Sequence, residues 1–281
     1  MPSALAFYPG CSLEGMANDY ARSITAVFEG LDIRLVEIED WSCCGATAAH
    51  SLDEMMAVAL PARNIAAAEK MGLDIVAPCA NCFNRLRFSQ QMIQKKIYDV
   101  PWSVSGSIRI HDMTRFLAGD DMLARIKARV KRPLSGLKVV SYYGCQMVRP
   151  PWITGFSDYE NPQTLDRLAA AVGAEPLDWS YKTTCCGAGI GIGRRDIQES
   201  LTARLLDKAR RAGAEAVVVS CPLCQCNLDM IQADKAQGGL PVFYFTELLR
   251  LAMEADGAFR RWFRNHVSDP IPLLGKKGLV S

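Results

Sequence analysis

Nowhere in this 281-residue chain do about 18 uncharged apolar residues follow one another, so no membrane-spanning helix is expected. The opening "MPSALAFYPG" lacks a basic leader followed by a long apolar run, which sets the expectation of a cytoplasmic protein. Neither sign of charge dominates. Lys plus Arg number 32 against 30 Asp plus Glu, leaving no global cationic field to gather nucleic acid or anionic lipid. No G-x-G-x-x-G opens a helix after a strand, so a flavin or nicotinamide fingerprint is missing; the glycine-rich run Gly187 to Gly193 follows a cysteine pair instead. Histidine is scarce, with only His50, His111 and His266, and no segment is of low complexity.

What the chain has in excess is cysteine, eleven in all. Reducing cytoplasm does not preserve structural disulfides, and an odd number cannot all pair, so metal ligation or redox chemistry is the stronger reading. The bland alternative is that each is a small buried apolar side chain. Spacing decides against it. Cys11, Cys43, Cys44, Cys79 and Cys82 read C-x31-CC-x34-C-x2-C, and Cys145, Cys185, Cys186, Cys221 and Cys224 read C-x39-CC-x34-C-x2-C. The last four cysteines of the two sets are 142 residues apart and the first pair 134, so the second copy carries eight extra residues before its CC (142 − 134 = 8). Cys226 has no counterpart at that offset and reads as a packing residue.

The flanks are duplicated too. "ALAFYPGC" and "LKVVSYYGC" are short β-prone runs ending in Gly-Cys. A helix over 16–31 and the strand-like "DIRLVEIE" follow in the first copy; in the second, Asn161-Pro162 resembles an N-cap with proline at the first helical position. After each CC, an alanine-rich amphipathic helix leads into a β-run that stops at C-x-x-C, and "IRIHDMTRFLAG" and "VFYFTELLRLAM" each read as a strand feeding a helix. This alternation predicts an α/β protein of two pseudo-symmetric, duplicated Rossmann-like domains with small, mostly parallel sheets. With a linker near Lys131 to Gly136, the domains are expected at 1–133 and 134–281, the second ending in a basic tail. Cysteines at three strand ends then converge on one edge, where open α/β sheets build their sites.

Zinc takes four ligands, and a cubane 4Fe–4S cluster takes one thiolate per iron, so either leaves a fifth cysteine without a vertex. A thioredoxin-type dithiol accounts for C-x-x-C alone. The count points to an unusual cluster. Gly45 and Gly187, directly after each CC, fit a cofactor cradle, because a residue without Cβ lets the backbone turn closely against inorganic sulfide.

The doubled pattern, with the phrases "YPGC", "YYGCQMVRP", "CCGA" and "CPLCQCNLD", resembles the cysteine-rich CCG domain family in the form of the heterodisulfide reductase B subunit, over essentially the whole chain. The resemblance implies two noncubane 4Fe–4S clusters. One would be held by Cys11, Cys43, Cys44, Cys79 and Cys82, the other by Cys145, Cys185, Cys186, Cys221 and Cys224, with a bridging cysteine in each. It implies an oxidoreductase that reduces or forms a disulfide placed between the clusters, one electron coming from each. It also implies that the ferredoxin-like C subunit of such a complex is the electron donor, with the flavin-containing A subunit upstream of it. The alternative function is an electron-relay module acting on a protein thiol or disulfide, such as a sulfur-carrier or lipoylated partner.

Two further residues are candidate catalytic groups. His50, six residues beyond Cys44, is placed to give a proton to a departing thiolate, and Arg149 in "CQMVRPP" to pair with an anionic substrate group. The ordinary readings are a loop or helix histidine and a solvated arginine. Arg260, Arg261, Arg264, Lys276 and Lys277 give the tail its charge, which reads either as a solvated face or as a docking site for a partner.

Overall fold

The computed structural model describes residues 2–46, 49–233, 239–254 and 259–280. In the first half, strands β1 (Ala4–Phe7), β2 (Arg34–Glu37), β3 (Ile75–Ala77) and β4 (Ile110–Asp112) form one sheet in the order β2-β1-β3-β4. In the second, β5 (Lys138–Tyr142), β6 (Glu175–Pro176), β7 (Ala216–Val219) and β8 (Val242–Tyr244) repeat that order as β6-β5-β7-β8. Every pairing is parallel, with Ala6 opposite Ile75 and Val139 opposite Ala216. Such strands are buried on both faces, which is why β3 and β7 are unbroken apolar runs, "IVA" and "AVVV".

Helices supply the crossovers. The first half carries α1 (Gly10–Glu14), α2 (Asn18–Gly30), α3 (Ala49–Leu52), α4 (Glu54–Met71), α5 (Ala80–Gln94), α6 (Met113–Leu117) and α7 (Asp120–Arg129). The second carries α8 (Pro151–Thr154), α9 (Thr164–Ala171), α10 (Arg195–Arg211), α11 (Pro222–Met230), α12 (Phe245–Met253), α13 (Phe259–Trp262) and α14 (Ile271–Lys276). The duplicated α/β architecture expected from sequence is the one observed. Among the described residues no helix is long and apolar enough to cross a membrane.

One local expectation fails. Helix α9 begins at Thr164, with Gln163 rather than Asn161 in the capping position. The Gln163 amide bonds back to Asn161 O and Oδ1 at 3.1 and 2.9 Å, holding 161–163 as a turn. The first helical turn is capped instead by Tyr143, whose Oη accepts from Leu165 N at 2.7 Å and donates to Asp166 Oδ2 at 2.9 Å.

The two halves share one continuous apolar core. At their junction Tyr20 of α2 stacks on Tyr244 at 4.0 Å with rings 4° from parallel, and Ser23 Oγ meets Thr246 Oγ1 at 2.7 Å. A stacked pair of this kind contributes roughly 0.5–1.5 kcal/mol beyond its burial. The eight-residue excess of the second copy lies between Cys145 and Cys185, the stretch that contains α8. Helix α8 packs on α5, where Gln91 Nε2 donates to Trp152 O and Ile153 O at 3.1 and 3.2 Å.

Candidate metal centre

Each motif is built at the carboxyl ends of its strands. Cys11 and Cys145 follow β1 and β5; Cys79 and Cys221 follow β3 and β7 and occupy the capping positions of α5 and α11. In both sheets these two strands are neighbours from which the chain runs out in opposite directions, the switch point where open parallel sheets form a crevice. The positive ends of α5 and α11 point at the sulfurs and favour thiolate. These two helices are not expected from the sequence, whose β-runs simply stop at C-x-x-C.

The vicinal pairs are held by repeated devices. Tyr8 Oη donates to Ser42 O and Tyr142 Oη to Thr184 O, both at 2.7 Å, so each tyrosine pins the carbonyl just before CC. The amides of Gly45 and Gly187 donate to Cys43 Sγ and Cys185 Sγ at 3.4 and 3.3 Å, with φ of +73° and +81° in the region open to glycine. Within the motifs, Cys44 Sγ lies 3.4 Å from Cys82 Sγ and Cys186 Sγ lies 3.7 Å from Cys224 Sγ. Across the halves, Cys79 and Cys221 stand at the starts of α5 and α11 on either side of the junction. Tyr20 Oη spans the same junction, donating to Ser220 O at 2.8 Å and reaching Pro78 O at 3.5 Å. The structure thus brings together Cys44 with Cys82 and Cys186 with Cys224, and places the starts of α5 and α11 at one junction.

Sulfur–sulfur contacts set the protonation pattern. Hydrogen bonds from Cys43 and then Cys82 hold the Cys44 thiol down to about 3, against the opposing effect of burial. Cys43 is pushed up by the same contact with Cys44. In the second half the bond with Cys145 lowers Cys185 to about 6, and the bond with Cys224 lowers Cys186. Cys11, Cys43 and Cys185 are exposed and Cys145 partly so, while Cys44, Cys79, Cys82, Cys186, Cys221 and Cys224 are buried.

The residues fit a multi-iron group better than a single ion. Among the described residues no three cysteine sulfurs lie within 4.8 Å of one another. Four sulfurs on one zinc at roughly 2.3 Å would all stand roughly 3.8 Å apart. A cluster that spreads the thiolates over several irons tolerates the wider spread. The cradle is also kept open, since a Cβ at Gly10 would stand 2.9 Å from Cys82 Sγ and one at Gly144 3.0 Å from Cys224 Sγ.

The remaining sequence candidates have other partners. His50 is exposed on α3; its ring lies 3.4 Å from Ser51 Oγ and its amide donates to Gly45 O at 3.4 Å. Arg149 is engaged by Glu160 at 2.6 Å and donates to Thr183 O and Oγ1 at 3.2 Å. His111 sits 3.3 Å from Asp74, and Cys226 is half-buried with its sulfur 3.1 Å from Met230 Sδ. His266 is buried 3.0 Å from Glu247 and 3.8 Å from Asp19, joining the tail to both halves. A cavity of about 640 Å³ is lined by Pro2, Arg109, His111, Arg115 and Phe116, none of them part of either motif.

Sequence reasoning missed Arg85. It lies one helical turn beyond Cys82 on α5, and its charge acts on Cys44. The duplication offset held the signal, because Arg85 aligns with the uncharged Asn227 (85 + 142 = 227).

Comparison with known proteins agrees with this geometry. The CCG cysteine-rich domain family matches residues 5–87 and again 139–229. The 8-methylmenaquinol:fumarate reductase membrane anchor subunit of Wolinella succinogenes is 32% identical over 266 residues, covering 90% of this chain and 93% of that protein. The B subunit of the ferredoxin:CoB-CoM heterodisulfide reductase of Methanosarcina mazei is 27% identical over 267 residues, 89% of each. A hypothetical protein from Helicobacter pylori shares the fold, with a TM-score of 0.70 at 8% identity; the match covers 96% of this chain and about half (52%) of that one. With a five-cysteine motif on each of two parallel sheets and two matches to its model, the chain belongs to the CCG cysteine-rich domain family, and it is similar to the heterodisulfide reductase B subunit.

Proposed function

We propose that this chain is the disulfide-reducing iron–sulfur subunit of a heterodisulfide reductase-type complex. One noncubane 4Fe–4S cluster would be held by Cys11, Cys43, Cys44, Cys79 and Cys82, and the other by Cys145, Cys185, Cys186, Cys221 and Cys224. The observation that carries this reading is the position of Tyr20 Oη, which reaches Ser220 O at 2.8 Å and Pro78 O at 3.5 Å, the carbonyls just before Cys221 and Cys79, and so brings two complete motifs to one junction. Bound clusters would supply one electron each, matching the two that opening a disulfide consumes.

The chain's own residues do the rest. Buried Cys44, Cys79, Cys82, Cys186, Cys221 and Cys224 are shielded from water, while exposed Cys11, Cys43 and Cys185 are the sulfurs a substrate would reach. Tyr8 and Tyr142 keep each CC loop in register, so both thiols of the pair would be held ready to ligate a bound cluster. His50, tethered through its amide to Gly45 O, is the proposed proton donor to the product thiols. Arg149, held by Glu160, meets a substrate anion only by exchanging that partner. Exposed Leu52, Met55 and Met56 follow the first CC, and Ile190 and Ile192 the second, which supports a protein partner covering this side. The ferredoxin-like C subunit of such a complex, fed by its flavin-containing A subunit, is the proposed source of electrons.

The Wolinella relative favours a second reading, in which the same two centres relay electrons inside a quinol-linked fumarate reductase complex. Mixing anaerobically reduced chain with CoM–CoB heterodisulfide separates the two. Stoichiometric release of both thiols is expected; a chain that stays reduced in its presence, yet is oxidised by a fumarate reductase flavoprotein, would sink the disulfide reading in favour of the relay.

A further inference from the structure

The pseudo-symmetry breaks at one charged side chain beside the first motif. Cys79 starts α5, which places Cys82 and Arg85 on one face of the helix, and Cys82 Sγ is 3.4 Å from Cys44 Sγ. The guanidinium is held in place. Arg85 Nη2 donates to Asn84 Oδ1 at 3.1 Å, and the cation stands 5.3 Å from the centre of the Phe88 ring. Asn84 is itself fully buried and anchored to the other half, donating to Gln146 O and Arg149 O at 3.1 and 2.9 Å.

None of this is repeated in the second half. At the 142-residue offset, Asn84, Arg85 and Phe88 become Cys226, Asn227 and Met230. Asn227 is uncharged and donates to Cys186 O at 2.7 Å and Thr202 Oγ1 at 3.1 Å. The cations beside the second motif are neutralised, Arg149 by Glu160 at 2.6 Å and Lys182 by Asp166 at 3.1 Å. Arg85 has no carboxylate partner among the described residues, so its half-buried charge is balanced by the thiolates and whatever they hold.

We propose that Arg85 makes the two metal centres unequal, so that the centre of Cys11, Cys43, Cys44, Cys79 and Cys82 accepts an electron at higher potential than the other. A fixed positive charge stabilises the reduced, more negative form of a nearby iron–sulfur group, and a partly buried one is little screened by solvent. The proposal rests on the reading of both motifs as cluster sites. It makes Arg85 a positioning residue for electrons, with the first centre as the place where one is held while the second centre fills.

The test is an EPR-monitored potentiometric titration of the whole, cluster-loaded chain, with dithionite giving one electron to each centre. A Cys186→Ala chain assigns the signals. Two steps are expected, the upper belonging to the first motif. Arg85→Gln should move the upper step down and leave the lower one in place, while Arg85→Lys, which keeps the charge, should move it far less. A purely structural role would disturb the Gln and Lys variants alike. An upper step assigned to the second motif, or one that ignores Arg85→Gln, would overturn the proposal with the cluster reading intact. Wild-type chain without iron or sulfide would overturn both.

Discussion

The two halves hold the same five cysteines but secure them differently. In the first, Ser42 is gripped by Asn64, which accepts from its amide at 2.8 Å and donates to its carbonyl at 3.0 Å, in addition to the bond from Tyr8. In the second, the polar grip moves past the pair, where Cys186 O receives Thr202 Oγ1 at 3.0 Å and Asn227 Nδ2 at 2.7 Å. One sequence pattern is thus served by two hydrogen-bond networks. The invariant parts lie next to the cysteines: glycine at φ of +68° before Cys11 and Cys145, glycine after CC, and the tyrosine hydroxyl on the carbonyl before it. The divergent parts face the opposite half or the protein interior, where each copy met a different neighbour.

The hardest way to break the comparison is to remove one buried sulfur. Cys44→Ala should lose the first centre and Cys186→Ala the second, each with about half the iron of wild type and no disulfide turnover. Full activity in either variant would end the symmetrical account. Next in size are Gly10→Ala and Gly144→Ala. Both positions have φ of +68° and an added Cβ would crowd a sulfur, so a backbone cost of about 1–2 kcal/mol is joined by displacement of Cys82 or Cys224. Metal analysis should show iron lost from the altered half alone.

His266 tests a further buried device of the second half. Burial pulls its pKa down, but the Glu247 carboxylate overrides that and leaves it at about 9 rather than 6.5. Since the folded value is the higher one, the imidazolium stabilises the protein fully below about 6.5 and ceases to do so as pH rises through about 9. His266→Gln should cost about 3 kcal/mol at pH 6 and flatten the loss of stability between pH 6.5 and 9 in denaturant titrations. The smallest effects belong to the tyrosines. Tyr8→Phe should cost about 1 kcal/mol, because Asn64 still binds Ser42 O. Tyr142→Phe should cost more, since among the described residues the tyrosine alone reaches Thr184 O. Thermal unfolding of the pair checks the ranking.

Much of this was legible from residue order. The cysteine spacing and the β-prone runs before Cys11, Cys79, Cys145 and Cys221 foretold parallel sheets, because strands buried on both faces must be continuously apolar. The helices after C-x-x-C were not foreseen, since "NCFNRLRFSQ" is too polar to show an amphipathic period and its capping residue is a cysteine. The start of α9 was misplaced because its cap, Tyr143, lies 21 residues upstream of Thr164 (164 − 143 = 21). Contacts between the halves, such as Tyr20 with Ser220, have no local signature at all. Arg149 looked free in sequence because Glu160 reaches it only through the fold.

The most direct measurement is iron, acid-labile sulfide and zinc content of the anaerobically purified chain. About eight irons and eight sulfides per chain, without zinc, are predicted for two 4Fe–4S centres. About four irons with zinc in the other motif would contradict the account, because disulfide cleavage between two iron–sulfur sites would then be impossible.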